Sequence, residues 1–421
     1  MILAADLGST NLKTAVFTLQ GQRLGEGSSP LPYELHTSDV AELCPSAVGE
    51  AFDEAVREAI RSAAINPDAV VCTSFTSQAQ TFCVCDAQGV PCGPFIGWAD
   101  NRACEEAVIL QKELGGEFHR LAGWPEVQPG LLLAKALWWR KRHGLAPDQR
   151  LVSLPSFLAM RLGAPLVTDR NLAAMTGCYN IPDDRWWTTA LVAAGLSAAH
   201  LGRVVAVGEQ VPIASNPPSH LLPALRTIVM AGNDHTAGAV GCGCTAGRSI
   251  LTLGTAGVFY RHAGMGPGPF SPDGLWGPYP LGGCYELRVT PHACAALDWA
   301  DELLFGSVNS PRFVEAASRA PEGCGGVVFD PAKWGSPEAW SGGGSQECKA
   351  RAVLEGVARE LTGLVGPFPD ADAGEIVILG GGSRLTLWVE MLERMFGGPL
   401  SRAETDGLYG AALLAGMRSE R

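Results

Sequence analysis

Two short segments, DLGST at residues 6–10 and LGTAG at residues 253–257, decide the fold of this 421-residue chain. Each follows an apolar run typical of a β-strand and leads through glycine and a hydroxyl residue into a second apolar run. Such turns offer backbone N–H groups and a hydroxyl, without side-chain bulk, to the oxygens of a phosphate group. Singly, each is also compatible with an ordinary hairpin turn. Their occurrence once in each half predicts two turns that clamp a polyphosphate from both sides.

The runs around these two segments predict a mixed α/β chain whose pattern restarts near its middle. In the first half, we predict strands at residues 2–6, 13–18, 22–27, 69–74 and 80–85, and a helix over about 40–64. In the second half, strands are predicted at residues 227–231, 249–253, 258–261 and 375–377, with helices over 349–365 and 388–395. Residues 103–215 alternate between helical and loop segments. Pro217, Pro218 and Pro223 mark the predicted boundary between a domain at 1–220 and a domain at 221–421.

The charge balance and the apolar runs exclude several classes of protein. Lys and Arg total 31 against 43 Asp and Glu, and the net charge of −12 argues against nucleic acid or an anionic membrane as partner. The chain shows no signal-peptide pattern, and no run approaches the roughly 20 apolar residues of a membrane span. We therefore expect a soluble cytoplasmic protein that acts on a small molecule. Its oligomeric state is left open, with a homodimer among the alternatives.

Thirteen cysteines raise the question of disulfides or a metal site. Cys83 with Cys85, and Cys242 with Cys244, have CxC spacing, but neither pair is followed by a second pair or by His at zinc-site spacing. Buried cysteine behaves as a small hydrophobic residue. We expect reduced thiols in the core.

Two further segments of the second half suggest chemistry. In ILGGGS at residues 378–383, a strand runs into three glycines, so the backbone can approach a flat or bulky ligand. The spacing is not that of a dinucleotide fingerprint, and no Walker-type phosphate loop occurs in the chain. In AGNDHTAGAVG at 231–241, Asp234 opens a helix of small residues, where a carboxylate can accept a proton from a substrate hydroxyl. The alternative for Asp234 is an ordinary helix-capping residue.

The order of these segments resembles the FGGY family of carbohydrate kinases over essentially the whole chain. The resemblance also rests on TSQAQTFCVCDAQG, GWADNRA, VTDRNLAAMTGCYNI and GLYGAALLAG, which begin at residues 76, 97, 167 and 407. It implies an α/β fold of two duplicated ribonuclease H-like, actin-like ATPase domains with a cleft between them. It also implies ATP-dependent phosphorylation of a small sugar or polyol, with a xylulose-like ketose favoured and Mg-ATP in the cleft.

The resemblance assigns roles residue by residue. Asp234 matches the general base, and Asp6 matches the carboxylate that positions Mg²⁺, through water. The positions that would bind the nucleotide are Gly8, Ser9, Thr10, Lys13, Gly254, Thr255, Gly257, Gly380, Gly381, Gly382 and Ser383. The positions that would bind the acceptor are Gln78, Gln80, Trp98, Asp100, Arg102, Asn233 and His235. His235 has a second interpretation as a solvent-facing residue at the start of a helix.

Two departures from the family pattern leave alternatives open. Gln80 stands where xylulokinases usually carry the His of a Met-His-Gly and glycerol kinases the Glu of an Arg-Glu, so the acceptor is not fixed. The segment between Trp299 and Lys349 is shorter than is usual in the family. A catalytically weak or inactive relative that regulates by binding sugar and nucleotide is therefore the alternative function.

Overall fold

The structure is a computed structural model that describes most of the chain. The described residues are 1–214, 220–265, 270–308, 310–366, 374–403 and 405–416. No helix in these ranges is long and apolar enough to cross a membrane. Pro217 and Pro218, predicted to mark the domain boundary, lie outside the described residues.

The chain forms two compact units. The first comprises Met1–Cys242, Gly264–Cys284 and Thr405–Arg421, and the second comprises Gly243–Ala263 and Tyr285–Glu404. The predicted division of function at residue 220 stays a prediction.

The strands are, in chain order, β1 (Ile2–Leu7), β2 (Asn11–Phe17), β3 (Arg23–Pro30), β4 (Tyr33–His36), β5 (Ala41–Leu43), β6 (Cys72–Ser77), β7 (Phe82–Cys85), β8 (Phe95–Ile96), β9 (Arg150–Ser153), β10 (Val167–Asp169), β11 (Tyr179–Asn180), β12 (Arg185–Trp186), β13 (Arg203–Val205), β14 (Gln210–Pro212), β15 (Thr227–Asn233), β16 (Arg248–Leu253), β17 (Gly257–His262), β18 (Leu275–Pro278), β19 (Cys284–Thr290), β20 (Val328–Phe329), β21 (Trp340–Ser341), β22 (Glu375–Leu379) and β23 (Leu400–Arg402).

The α-helices are α1 (Pro45–Ala63), α2 (Cys104–Ala122), α3 (Leu132–His143), α4 (Leu154–Arg161), α5 (Arg170–Met175), α6 (Thr188–Ala193), α7 (Asp234–Gly241), α8 (Cys294–Phe305), α9 (Pro311–Arg319), α10 (Gln346–Val365), α11 (Thr386–Phe396) and α12 (Gly407–Leu414).

The main sheet of the first unit has the strand order β14-β15-β6-β1-β2-β3. Strands β1 to β3 form the predicted antiparallel meander, while β1, β6 and β15 run parallel to one another. Parallel strands present their carboxyl ends at one edge of a sheet. Register therefore brings Leu7, Ser77 and Asn233 to the same edge, since Leu7 pairs with Ser77 and Ser77 with Asn233.

Helices cover both faces of this sheet. On one face, α1 packs so closely that a Cβ on Gly25 would lie 2.2 Å from the backbone of Ala63. On the other face, α12 contributes Leu408, Ala411 and Ala412 to a buried cluster with residues of β1 and β2. A second sheet of the first unit, ordered β4-β5-β8-β7-β9, packs against α2 and α3.

The second unit is built around the strand order β19-β17-β16-β22-β23. Strands β16 and β17 form the predicted hairpin around LGTAG, and β22 pairs parallel with β16. Helix α10 fills the core with residues such as Val353, Val357 and Leu361, and the fully buried Trp388 of α11 packs beside them. The predicted strand before the three glycines is confirmed as β22.

Several predicted boundaries in the first half differ from the structure, and two of the differences have a clear physical cause. The helix predicted from residue 40 begins at Pro45, because Ala41–Leu43 pair with β4 and β8 as strand β5. Proline is well suited to the first turn of a helix, where its missing N–H costs no hydrogen bond. The strand predicted at 69–74 lies at Cys72–Ser77, because Pro67–Ala69 form a 3₁₀ turn.

The cysteines form no disulfide, and all of them lie within the described ranges. Most are buried or half-buried, but Cys92 and Cys104 are exposed, so the expectation of core thiols is wrong for these two.

Candidate active site

Asp6 and Asp234 form the centre of the candidate site in the first unit. Asp6 lies near the carboxyl end of β1, and its Oδ1 atom is buried with no hydrogen-bond partner among the described residues. Burial, and then the charge of Asp234, raise the pKa of Asp6 to about 7; Lys13 opposes the rise, and Asp406 adds to it. Two carboxylates whose charges interact in this way form a site for a cation or a proton.

Asp234 is the first residue of α7, and Asn233 caps that helix. The Asn233 side chain accepts a hydrogen bond from the N–H of Thr236 at 2.8 Å, so the interpretation of Asp234 as the capping residue is wrong. Within the described residues, the Asp234 carboxylate accepts a hydrogen bond from the N–H of His235, at 2.9 Å. The Nδ2 donor of Asn233 is buried without a partner in the same part of the structure. Asp234 is thus left available for a ligand proton.

The first predicted phosphate turn lies directly beside Asp6. Gly8 closes the turn by donating its N–H to the carbonyl of Asn11 at 3.1 Å, and a Cβ at residue 8 would lie 3.1 Å from the same oxygen. Ser9 and Thr10 are exposed, as is Lys13, which faces Asp6 across the β1–β2 ladder. Lys13 thus places a positive charge beside the turn, and its contact with a phosphate stays a prediction.

Gln78 joins the turn to the end of β6. Its Nε2 donates to the carbonyl of Gly8 at 3.2 Å, while its Oε1 is buried without a partner in the described chain. Because Ser77 pairs with Asn233, the unpaired Gln78 acceptor and the unpaired Asn233 donor lie at the ends of adjacent strands. An acceptor and a donor together suit the hydroxyl groups of a polyol.

Gln80, a predicted acceptor contact, has its side-chain amide bonded to backbone. Its Nε2 donates to the carbonyl of Met175, and its Oε1 accepts the N–H of Leu132 at 2.8 Å. The residue has a φ of 69°, which is uncommon for a residue with a side chain. The structure therefore gives Gln80 the role of fixing its loop, and direct contact with the acceptor stays a prediction.

Asp100 and Arg102 form an ion pair shortly after the exposed Trp98 in the chain. Asp100 is only 1% exposed, and its oxygens accept from the Arg102 Nε at 3.1 and 3.0 Å and from the N–H of Ala41 at 3.1 Å. The Arg102 guanidinium also bonds Glu42 at 2.6 Å. Trp98 is 47% exposed, which leaves its ring free to stack on a ligand. We interpret Asp100 as the residue that orients Arg102.

Lys135 holds these two loops together, and sequence reasoning missed it. Its side chain is fully buried, and Nζ donates to the carbonyl of Gln80 at 2.8 Å and to that of Gly97 at 2.7 Å. Burial lowers the pKa of Lys135 to about 7, although Asp100 opposes the shift. A single charge inside the apolar run 131–139 was the available signal.

We expect Lys135→Met to change how stability depends on pH. Because burial lowers the folded-state pKa of Lys135 from 10.5 to about 7, the unfolded chain binds the extra proton between these values. Lys135 therefore makes the free energy of unfolding rise as pH rises from about 7 to about 10. As pH rises over this range, the melting temperature of the wild type should rise relative to that of Lys135→Met. Lys112→Met, an exposed lysine on α2, should show no such divergence, and equal divergence in both variants would contradict the assignment.

In the second unit, a pocket of about 600 Å³ gathers residues from both predicted nucleotide segments. Gly254 and Thr255 of the β16–β17 turn line it together with Gly381 and Gly382. Its remaining wall residues are Leu253, Cys294, Leu297, Asp298, Asp301, Ser310, Pro311, Phe313, Val314, Arg384 and Leu385. Apolar walls beside open backbone suit a flat, partly apolar ligand.

The three glycines at residues 380–382 differ in whether packing leaves room for a side chain. A Cβ on Gly380 would lie 2.6 Å from the carbonyl oxygen of Leu253, and one on Gly382 would lie 2.6 Å from the ring of Trp388. A Cβ on Gly381 would meet nothing within 4 Å, so this glycine alone opens onto space. Ser383 donates its hydroxyl to the carbonyl of Gly380 at 2.7 Å. Close packing thus explains Gly380 and Gly382 without a ligand.

The predicted site residues fall into three groups. The first phosphate turn forms one group with Asp6, Asp234 and the predicted acceptor residues Gln78, Asn233 and His235. The loops of Gln80 and of Trp98 to Arg102 form a second group, joined by Lys135. The residues of the second turn and of the three glycines form a third group at the pocket of the second unit. Gly257 lies beside that pocket rather than in its wall, since a Cβ there would lie 2.5 Å from Leu361. Asp169, Asn171 and Asp406 also border the first group and had no predicted role.

Asp6 fits a Mg²⁺ ion held mainly by water and phosphate oxygens. Its buried oxygen lacks a partner in the described chain, and the charge of Asp234 affects its pKa more than that of Asp406 does. No group of three or more His, Cys, Asp or Glu in the described residues could hold a metal ion. Mg²⁺ is commonly bound by one or two carboxylates together with substrate phosphates, so a larger cluster is not required.

Comparison with known proteins gives one consistent result. The FGGY family of carbohydrate kinases, N-terminal domain, matches residues 1–241. The xylulose kinase of Klebsiella pneumoniae is 31% identical over 345 residues, which cover 76% of this chain and 69% of that protein. A glycerol kinase of Alkalilimnicola ehrlichii is 26% identical over 446 residues, covering 98% of this chain and 89% of its own.

The fold agrees with these relatives. The crystal structure of ligand-bound xylulose kinase from Lactobacillus acidophilus matches with a TM-score of 0.86 at 20% identity, covering 98% of this chain and 88% of that one. The predicted α/β fold of duplicated actin-like ATPase domains is thereby confirmed.

Proposed function

This chain belongs to the FGGY family of carbohydrate kinases, and we propose that it transfers the γ-phosphate of ATP to a hydroxyl of a xylulose-like ketose. Membership makes it a kinase of a small sugar or polyol. One observation carries the finer proposal: Asp234 opens α7 beside Asp6, with unpaired Gln78 and Asn233 atoms at the adjoining strand ends. Asp234 can accept a proton, Asp6 can hold a cation, and the Gln78 and Asn233 atoms can bind hydroxyl groups of the substrate.

Asp234 acts in this proposal as the general base. The acceptor O–H bond breaks as its proton passes to the Asp234 carboxylate, and the oxygen forms a bond to the γ-phosphorus while ADP leaves. A negative charge is favoured at the N-terminus of a helix, where Asp234 lies. The unpaired Asn233 donor and Gln78 acceptor orient the polyol, and the Trp98 ring stacks on its C–H face.

The nucleotide is bound through backbone and through Lys13. Gly8, Ser9, Thr10 and Lys13 form one turn, whose N–H groups and ammonium group suit phosphate oxygens. In the second unit, the pocket beside Gly254 and Thr255 takes the adenosine against its apolar walls. Asp6 would hold Mg²⁺, which supplies charge neutralisation for the phosphates when bound.

We expect Asp6→Asn to stabilise the metal-free protein while it removes activity. The pKa of Asp6 is raised from 3.8 to about 7 in the folded state, so the folded chain holds a proton that the unfolded chain releases. The contribution of Asp6 to stability is therefore present at low pH and lost as pH rises through about 7. The melting temperature of Asp6→Asn, measured without Mg²⁺, should exceed that of the wild type more at pH 8 than at pH 5. An advantage that is equal at both pH values would contradict this electrostatic account.

The proposal of a ketose as acceptor rests on similarity to the named relatives, and measuring ADP release with different acceptors tests it. Relatives named as xylulose kinases and as a glycerol kinase both match this chain, and Gln80 is bonded to backbone. ADP release from Mg-ATP should be stimulated by one member of a panel of ketoses, aldoses, polyols and glycerol, with ketoses giving the highest kcat/KM. Stimulation by glycerol alone would overturn the ketose. ATP binding without any stimulated turnover would favour the regulatory alternative.

A further inference from the structure

The backbone just before Asp234 is held by side chains from a segment over 60 residues away in sequence. Asp169 accepts the N–H of Gly232 on Oδ2 at 3.0 Å, and Asn171 accepts the N–H of Asn233 on Oδ1 at 2.9 Å. These donors are the two residues that immediately precede the proposed base. The motif VTDRNLAAMTG, to which no role was assigned, therefore meets the active site directly.

Both carboxylate oxygens of Asp169 accept hydrogen bonds from backbone N–H groups. It is 0% exposed, and its Oδ1 accepts the N–H groups of Asn171 at 2.8 Å and Leu172 at 2.9 Å. Burial raises the pKa of Asp169 to about 6, against the opposing effect of the hydrogen bonds that it accepts. Burying a carboxylate is costly unless it is hydrogen-bonded, and here three backbone donors satisfy it. Asp169 is buried inside the protein and has no exposed surface to offer a substrate.

Asn171 and Gly232 fit each other closely. The Nδ2 of Asn171 donates to the Thr236 hydroxyl at 3.0 Å and to the carbonyl of Pro278 at 3.2 Å, so every part of its amide is engaged. Gly232 has a φ of +74°, and a Cβ there would lie 3.1 Å from the Asn171 Oδ1. The Gly232 carbonyl accepts the Thr76 hydroxyl at 3.0 Å. Both polar backbone atoms of Gly232 are thus fixed by side chains.

Resting on the proposed function, we propose that Asp169 and Asn171 are positioning residues that direct the Asp234 carboxylate at the acceptor hydroxyl. They fix the peptide groups of Gly232 and Asn233, and these fix the first turn of α7. Both side chains are 0% exposed, so they act through the backbone that they hold rather than on a ligand. A displacement of about 1 Å in a reacting group can lower a rate about 100-fold, so such fixing has a measurable effect.

Asp169→Asn tests the bond to Gly232 selectively. The new amide oxygen can still accept from Asn171 and Leu172, but its NH₂ group then faces the N–H of Gly232, donor against donor. We expect kcat to fall about 10- to 100-fold, with KM for ATP changed by less than about twofold. Asp183→Asn, the same charge change at a half-exposed site outside the machinery, should keep the wild-type kcat.

Asn171 provides a second variant and a rescue. Asn171→Ala removes both the acceptor for Asn233 and the donor to Thr236 and Pro278, whereas Asn171→Asp loses the donor but retains the acceptor oxygen. We expect Asn171→Asp to recover at least about tenfold of the kcat lost in Asn171→Ala, with rates expressed per ATP-binding site so that unfolded protein does not count. Equal losses in the two variants would overturn the role of the Asn171 oxygen.

A double-mutant cycle separates positioning from general stability. If Asp169 acts through Asp234, adding Asp169→Asn to Asp234→Asn should lower the residual kcat by less than about twofold. Multiplication of the two separate losses would overturn the proposal. If Asp234→Asn is inactive and Asp169→Asn is fully active, the positioning role of Asp169 is wrong while the assignment of Asp234 as base stands. A fully active Asp234→Asn would instead show that Asp234 is not the general base, and Asp169 and Asn171 would then have no base to position.

Discussion

Replacing Asp234 with Asn is expected to lower kcat by about 10²- to 10⁴-fold while ATP still binds. The amide has nearly the shape of the carboxylate, but it cannot take the proton of the acceptor hydroxyl. Asn233, rather than Asp234, caps α7, so the substitution leaves the start of the helix intact. The predicted nucleotide groups of the turn and of the second-unit pocket are also untouched.

The measurement compares turnover with ATP affinity in the same preparation. Steady-state ADP release gives kcat, and titration calorimetry gives the Kd for ATP, which should change by less than about threefold for a variant that alters only the chemical step. Asp68→Asn, at an exposed residue of the 3₁₀ turn before β6 that has no predicted role in the site, should match the wild type in both quantities. A wild-type kcat in Asp234→Asn would show that another group accepts the proton.

Gly410→Ala is expected to destabilise the first unit by about 3 kcal/mol, near the upper end for a small-to-large change in a packed core. Gly410 lies where α12 meets α7, and a Cβ there would lie 1.7 Å from the carbonyl oxygen of Ala237. Gly241 completes the contact from α7, since its own Cβ would lie 3.2 Å from the Gly410 nitrogen. The added methyl can be accommodated only by moving one helix. Because α7 begins with Asp234, the move should also reduce activity.

Calorimetry of the thermal transition checks this expectation against a matched glycine. A loss of about 3 kcal/mol corresponds to a fall of roughly 5 °C in melting temperature for a unit of this size. Gly116→Ala is the control, because Gly116 lies within α2 and a Cβ there would meet nothing within 4 Å. That variant should gain about 0.5–1 kcal/mol from the better helix propensity of alanine. A Gly410→Ala protein as stable as the wild type would contradict the close helix contact.

Local chemistry explains which parts of the fold could be predicted. The hairpins at DLGST and LGTAG follow from glycine and hydroxyl turns between apolar runs, and both are confirmed. The start of α1 was predicted too early because Ala41–Leu43 pair with strands that are distant in sequence, a tertiary effect that outweighs periodicity. The strand predicted at 227–231 is observed at Thr227–Asn233, but its pairing with β6 could not be predicted from the sequence.

The site shows the same limit. Asp6 and Asp234 could be proposed because each lies in a recognisable segment, whereas Lys135 acts through carbonyls 55 and 38 residues away. Likewise, Asp169 meets Gly232 across 63 residues. Such roles depend on long-range contacts, which a single sequence does not reveal. An isolated charged residue in an apolar run, as at Lys135, is the signal that could have been used.

The most direct test of the account is ³¹P NMR of purified protein with Mg-ATP and the best acceptor of the panel. The account predicts ADP and a new phosphate monoester of the acceptor in equal amounts, with neither formed by Asp234→Asn on the same timescale. Inorganic phosphate in place of the monoester would contradict phosphoryl transfer to a sugar. Unchanged ATP in the presence of every acceptor, although ATP binds, would leave a regulatory protein that binds nucleotide without using it.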